Sequence, residues 1–173
     1  VNPVNDTPTL DSLDRILQIG DHIDGEASND QLGWSVSLSD DGSIVAIGAR
    51  YNDGNGADSG HVRIYNNIAG NWAQIGSDID GEASNDTSGF NVSLSADGSI
   101  VAIGAPGNDG NGTDAGHVRI YNNVEGNWVQ IGSDIDGENA DDRSGSSVSL
   151  SADGSVVAIG APGNGVDASG HVR

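Results

Sequence analysis

Two kinds of acidic loop contain the side chains of this sequence that are best suited to chemistry. In the first kind, oxygen-bearing residues alternate with glycine, and its members are Asp53, Asn55 and Asp58 with their copies Asp109, Asn111 and Asp114. The second kind contributes Asp24, Glu26, Asp80 and Glu82. Carboxylate and amide oxygens beside flexible glycines are the donors that Ca²⁺ prefers. These residues are therefore a predicted calcium site, and the alternative is that Asn, Asp and Gly only form solvated turns.

The charge balance limits the partners of the protein. The 173 residues contain 26 acidic and 6 basic side chains, which gives a net charge of −20. Nucleic acid is excluded as a default partner because phosphate binding needs clustered cations, and an anionic membrane surface is disfavoured for the same reason. No apolar run is long enough to insert into a membrane. The sequence has no Cys, which excludes disulfides and Cys-ligated zinc, and no Met, which predicts a processed or excised segment.

The histidines and tryptophans could also take part in chemistry, but their sequence context predicts structural roles. Three histidines, His61, His117 and His171, open a "GHVR" run in equivalent places, and equivalent places in a repeat protein lie well apart. Trp72 and Trp128 are expected to pack between repeated units rather than stack on sugars. No nucleophile elbow or phosphate-binding motif is present, so the chain is predicted not to be an enzyme.

The elements that position these loops come from one unit that is repeated. The run Ile23-Asp24-Gly25-Glu26 returns at 79–82 and at 135–138, a spacing of 56 residues. The repeats are predicted at 23–78, 79–134 and 135–173, inside one segment at 13–173. Residues 1–12, rich in Pro, Asn and Asp, are predicted to be a linker or an extended arm.

Each repeat has the apolar pattern of four antiparallel strands. In the first repeat these strands are predicted at Trp34–Ser39, Ile44–Ala49, His61–Tyr65 and Trp72–Ile79. A copy of the fourth strand at 16–20 precedes the first repeat, and the third copy lacks its own, so the phase is circularly permuted. Four strands repeated at this spacing predict an all-β fold of β-propeller blades. In such a blade both kinds of acidic loop lie at the same edge.

The run "GFNVSLSADGSIVAIGAPGNDGNGTDAGHVRIYNN" resembles the FG-GAP repeats of integrin alpha propellers and of many bacterial surface proteins. The "GAP" half stands at Gly104–Pro106 and Gly160–Pro162, and the resemblance extends over 13–173. The family's calcium loop, Asp-x-Asp-x-Asp-Gly, lies in the hairpin between the first two strands. Here that hairpin is the tight turn Ser95–Ser99, so the family's usual calcium site does not transfer.

The resemblance also implies a cellular location for the protein. The arm "VNPVNDTP" is similar to linkers between cadherin-like domains of very large bacterial adhesins. This similarity implies a secreted or cell-surface-attached protein, in a family whose members are mostly interaction modules.

Three functions follow from these observations as hypotheses. The first is a non-catalytic adhesion or interaction module, stabilised by calcium, that binds a protein or glycan at the cell surface. The second is a structural segment that assembles with copies of itself into a ring or fibre, since two chains would supply six blades. The least favoured is a hydrolase or lyase on a propeller face.

Overall fold

The structure, a computed structural model, describes residues 18–173, and over that range it confirms an all-β fold. Three antiparallel sheets follow one another along the chain, and the first two each end with the first residues of the next predicted repeat, Ile79–Asp80 and Ile135–Asp136. In this range the helical structure consists of one 3₁₀ turn, Val166–Ala168, and no helix has the length and apolar character of a membrane span. The predicted arm at 1–12 lies outside the described residues, as do the first two residues of the predicted strand at 16–20. Residues 18–20, the described part of that prediction, do not form a strand.

The strands are numbered along the chain. The first sheet contains β1 (Ser35–Leu38), β2 (Ile44–Ala49), β3 (His61–Ile68), β4 (Asn71–Gln74) and β5 (Ile79–Asp80). The second sheet contains β6 (Asn91–Leu94), β7 (Ile100–Ala105), β8 (His117–Val124), β9 (Asn127–Gln130) and β10 (Ile135–Asp136). The third contains β11 (Ser147–Leu150), β12 (Val157–Ala161) and β13 (His171–Val172). Each sheet is called a blade below.

The third and fourth strands of a blade differ from the sequence prediction. Strand β3 extends to Ile68, because the loop predicted at 66–71 is only a tight turn in which Ala69 and Gly70 both have positive φ, 53° and 89°. The predicted fourth strand is divided into β4 and β5, which both pair with β3. Gly76 lies in the gap with a φ of 73°, a left-handed conformation that ends the ladder.

The hairpin between the first two strands of each blade is held by one aspartate. In the first blade, the Asp41 carboxylate accepts hydrogen bonds from the Ser43 backbone N–H (2.9 Å) and from the hydroxyls of Ser39 and Ser43. Asp153 has the same partners in the third blade, Ser151 and Ser155. These hydrogen bonds stabilise the ionised carboxylate, so they lower the pKa of Asp41 and of Asp153 from 3.8 to about 2.

Acid should therefore destabilise these turns in a defined pH range. A carboxyl group whose pKa is lower in the folded state stabilises the fold above the unfolded pKa, and this contribution is lost as the pH falls from about 4 to about 2. We expect the double variant Asp41→Asn/Asp153→Asn to take up about 1.5 fewer protons on unfolding near pH 3 than the parent chain. The pH dependence of the unfolding midpoint measures that number. An unchanged dependence in the double variant would contradict the hydrogen-bonded turns.

Successive blades share apolar cores. The largest core joins Ala46, Val62 and Ile64 of the first blade to Leu94 and Ile103 of the second, all buried. A second shared core joins the second and third blades in the same way. The second blade thus packs one face against the first blade and the other face against the third.

Backbone and side-chain hydrogen bonds also cross between blades. The Ser35 hydroxyl donates to the Gly89 carbonyl (2.7 Å), and the Leu94 N–H donates to the Ser37 hydroxyl (3.0 Å). Trp128 Nε1 donates to the carbonyl of Ile75 in the preceding blade (3.0 Å), which agrees with the predicted packing role of this tryptophan. Successive blades are therefore joined by hydrogen bonds as well as by apolar contacts.

Candidate functional site

The two kinds of acidic loop meet at one edge of the blades. The loop between β2 and β3 contacts the loop that leaves β5, because Asn55 Nδ2 donates to the carbonyls of Gly81 (2.8 Å) and Glu82 (3.1 Å). Asn111 makes the same two bonds to Gly137 and Glu138. Backbone bonds such as Asn85 N–H to the Ala57 carbonyl (2.8 Å) add to this contact. The edge is hereafter called the acidic edge.

The residues predicted in the first kind of loop take part in its turns. One oxygen of Asp53 accepts the backbone N–H of Asp58 (2.8 Å), and Asp58 has a positive φ of 53°. Asp109 and Asp114 repeat this bond at 2.9 Å. The structure thus brings each of these pairs together. Asp53 and Asp109 remain exposed, and their other carboxylate oxygens have no hydrogen-bond donor among the contacts of the described residues.

The residues predicted in the second kind of loop are separated by the structure. Asp24 is exposed and lies 4.0 Å from His22. Asp80 is the last residue of β5, where it pairs with His61 across the sheet. Glu26 and Glu82 contact the buried histidines described below.

Two further aspartates, which are not among the predicted calcium ligands, hold the acidic loops in place through hydrogen bonds. Asp86 is 2% exposed, and its Oδ2 accepts the N–H groups of Glu82 (3.1 Å) and Ala83 (2.9 Å) and the amide of Asn108 (3.2 Å). Asp142 repeats this arrangement in the next loop. Burial alone would raise the pKa of Asp142, but these hydrogen bonds outweigh it and lower the pKa. These aspartates therefore position the loops.

Two clusters of histidine and carboxylate lie at the acidic edge, and sequence reasoning missed them as units. In the first, His61 Nδ1 lies 3.5 Å from Asp78 Oδ2 and 3.9 Å from Glu26 Oε2. In the second, His117 Nδ1 lies 3.8 Å from Asp134 Oδ2 and 3.9 Å from Glu82 Oε2. The ligand atoms of each cluster all lie within 4.8 Å of one another, so each cluster could hold a metal ion.

The surroundings of the histidines favour the neutral ring. Burial lowers the pKa of His61 and of His117, and the positive charge of Arg63 or Arg119 acts in the same direction, whereas the carboxylates oppose it. Burial also raises the pKa of Asp80, which His61 partly offsets. Each cluster thus combines a buried imidazole with more exposed carboxylates.

The arginines of the third strands pair with glutamates of the acidic loops. Arg63 NH1 lies 3.7 Å from Glu26 Oε1, and Arg119 NH1 lies 3.6 Å from Glu82 Oε1. Arg119 also donates to the carbonyl of Asp80 in the preceding blade (2.6 Å). Each glutamate therefore has one oxygen toward an arginine and the other toward a histidine.

One signal in the sequence could have revealed the clusters. The third and fourth strands of a blade are antiparallel neighbours, and the register pairs His61 with Asp80. A carboxylate two residues before Asp80 then lies close to the same histidine. The runs "GHVR" and "SDIDGE" occur together in two repeats, so with the strand register known they would have placed a carboxylate beside each histidine.

The fold defines a class of protein: an all-β, propeller-type module of repeated antiparallel blades. Residues 23–65 match the FG-GAP repeat model, which agrees with the resemblance seen in the sequence over that part of the chain. The similarity of the arm to cadherin-like linkers has no counterpart in this match.

The comparison with solved structures gives a distant likeness. The chain is similar to the hydrazine synthase of Kuenenia stuttgartiensis, with 14% sequence identity and a TM-score of 0.46. The likeness covers 83% of this chain and 33% of that protein, so the chain spans about a third of its length. A search of curated protein sequences gives no match.

Proposed function

We propose that the protein is a non-catalytic interaction module of a large bacterial surface protein, secreted or attached to the cell surface, and that calcium at its acidic edge stabilises it. The observation that carries this proposal is the joining of acidic loops from successive blades into one solvent-facing edge. A protein or glycan at the cell surface would bind there, in part through the bound ions.

The chemistry of the edge supports calcium. Asp53, Asn55 and Glu82 are exposed within loops that contact each other, and Asp80 is exposed at the end of β5. Asp109 and Asn111 repeat the arrangement one blade later. The atoms that these side chains can offer to a hard cation are oxygens, the ligands that Ca²⁺ prefers. Crowded carboxylates in a chain with a net charge of −20 repel one another, and a divalent cation relieves that repulsion.

Thermal unfolding in EDTA and then in millimolar Ca²⁺ tests this proposal. A ligand that binds the folded state raises the unfolding midpoint, and we expect a rise of roughly 5 °C. Asp53→Asn/Asp109→Asn should abolish most of the rise. The control Asp40→Asn/Glu125→Gln removes the same charge from hairpins at the opposite edge and should keep it. Equal midpoints with and without Ca²⁺ in the parent chain would refute the calcium part of the proposal.

A second candidate function, self-assembly, is favoured by the two outer faces of the blade array. Val36 and Leu38 of β1 are 64% and 59% exposed, whereas their copies Val92 and Leu94 are 6% and 7% exposed under the first blade. At the other end Val172 is 73% exposed, whereas its copy Val118 is fully buried. The outer faces therefore correspond to the two halves of the internal blade interface, so we propose that a second copy of the chain binds there head to tail.

Light scattering during the same experiment tests self-assembly. A mass of two chains or more, independent of Ca²⁺, is expected if the outer faces pair. A monomer at all concentrations would exclude this candidate and leave the interaction module unaffected.

A further inference from the structure

The two clusters of histidine and carboxylate each contain a buried imidazole that has no hydrogen-bond partner among the described residues. His61 and His117 are each 1% exposed, and neither ring nitrogen of either residue has a hydrogen-bond partner. A buried polar atom without a partner destabilises the fold, so two repeated instances call for a ligand. In both cases Nδ1 faces a pair of carboxylates.

The spacing of these atoms fits a metal ion of small radius. Zinc bonds of 2.0–2.2 Å in a tetrahedron place neighbouring ligand atoms about 3.4 Å apart. The nitrogen–oxygen distances are 3.5 and 3.9 Å in the first cluster and 3.8 and 3.9 Å in the second. The nitrogen–oxygen distances need to shorten by no more than a few tenths of an ångström, and the two carboxylate oxygens, which lie within 4.8 Å of each other, belong to the more exposed side chains and can move to reach the same ion.

The neighbours of each cluster already orient its ligands. Gln74 Nε2 donates to Asp78 Oδ1 (2.5 Å), which leaves Oδ2 toward His61. Gln130 does the same for Asp134 at 2.6 Å. Partners of this kind, which fix the orientation of a metal ligand, commonly change metal affinity by 10- to 100-fold. The carboxylates of Glu26 and Asp78 are 51% and 26% exposed, so an ion has access from solvent.

The donor set distinguishes these clusters from the calcium loops. Imidazole nitrogen with carboxylate oxygen suits Zn²⁺ and related transition metals, whereas Ca²⁺ takes oxygen ligands only. We propose that Glu26, His61 and Asp78 form one binding site for a divalent transition metal ion, and that Glu82, His117 and Asp134 form a second. Each site has three protein ligands and leaves a coordination position open to solvent. Glu82 belongs to this proposal and to the calcium proposal, whereas the two histidines, Asp78 and Asp134 belong to this one alone.

Titration of the EDTA-treated, dialysed chain with Zn²⁺ tests the inference. At zinc concentrations that just saturate the parent chain, we expect two equivalents to bind to the parent and one to Asp78→Asn. In Asp78→Asn/Asp134→Asn the affinity of both sites should fall at least about tenfold, so neither site fills at those concentrations. His22→Gln is the control. His22 and Asp24 also form a histidine–carboxylate pair, 4.0 Å apart, but both side chains are exposed. This variant should still bind two equivalents of Zn²⁺. Nitrogen-15 spectra of the imidazoles should show that Zn²⁺ shifts Nδ1 of His61 and His117.

Several results would overturn the inference. One is the same zinc stoichiometry in the parent chain and in Asp78→Asn/Asp134→Asn, and another is the absence of any zinc-dependent change in the His61 and His117 spectra. Thermal unfolding of each variant in EDTA establishes that it is folded. Calcium stabilisation of the parent chain is measured separately, and the histidine variants His61→Gln/His117→Gln should keep it, so failure of one proposal is distinguishable from failure of the other.

Discussion

The variant Gly104→Ala is expected to lose about 3 kcal/mol of unfolding free energy, and its unfolding midpoint should fall by roughly 6–12 °C. A Cβ atom at this position would lie 2.0 Å from the carbonyl oxygen of Gly145 and 2.9 Å from its carbonyl carbon. Both atoms are backbone of the next blade, so they move only if the two blades separate. Denaturant unfolding followed by tryptophan fluorescence measures the loss.

The third blade offers the matched control Gly160→Ala. A Cβ atom there meets the Ser147 hydroxyl at 2.3 Å, and its other neighbours lie at 3.6 Å or more. A serine side chain rotates away at small cost, so this variant should lose less than about 1 kcal/mol. Similar losses in the two glycine variants would contradict the close approach of successive blades. The contrast also explains the glycine of the "GAP" run in physical terms: it is the point where one blade contacts the next.

Leu94→Ala is expected to destabilise the protein by about 2–5 kcal/mol. Leu94 is 7% exposed in the core shared by the first two blades, and truncation of a buried leucine removes apolar contact and leaves a cavity. Because both blades contribute to this core, the loss should appear as destabilisation of the whole chain. Urea unfolding of the variant and the parent gives the difference.

The control for Leu94→Ala is the same substitution in the first blade, Leu38→Ala. Leu38 is 59% exposed, so in a monomer its truncation should change stability by no more than about 0.5 kcal/mol. If the chain assembles head to tail, Leu38 is buried at the new interface and the variant should dissociate into monomers. Equal destabilisation by the two variants in a monomeric sample would contradict the order of the blades.

The sequence predicted the fold well because its signals are local and repeated. The Asp-Gly turns, the alternating pattern of β1 and the continuous apolar run of β2 each depend on a few neighbouring residues, and the 56-residue spacing gives each pattern more than once. The division of the fourth strand was missed because it depends on the left-handed conformation of Gly76, which a Gly in a strand pattern suggests only weakly.

The candidate site was harder to predict because its parts come from separate segments. Glu26 enters from the loop before the first blade, His61 from the start of β3 and Asp78 from the gap before β5. The predicted calcium residues were chosen by loop composition, and composition does not show which carboxylates accept backbone N–H groups. Asp86 illustrates this limit, since its oxygen is occupied by three hydrogen-bond donors of the loops.

Most contacts between blades recur 56 residues later, so the energetics of the molecule resemble those of a one-dimensional array of repeats. The Leu94 N–H to Ser37 hydroxyl bond recurs as Leu150 N–H to Ser93, and the carbonyl accepting Trp72 Nε1 is Ile19, 56 residues before the one that accepts Trp128. Total stability is then a sum of one intrinsic energy per repeat and one coupling energy per junction. Among the described residues the second blade has a junction on each side, so in the 173-residue chain hydrogen exchange should be slower in the second blade than in the first and third.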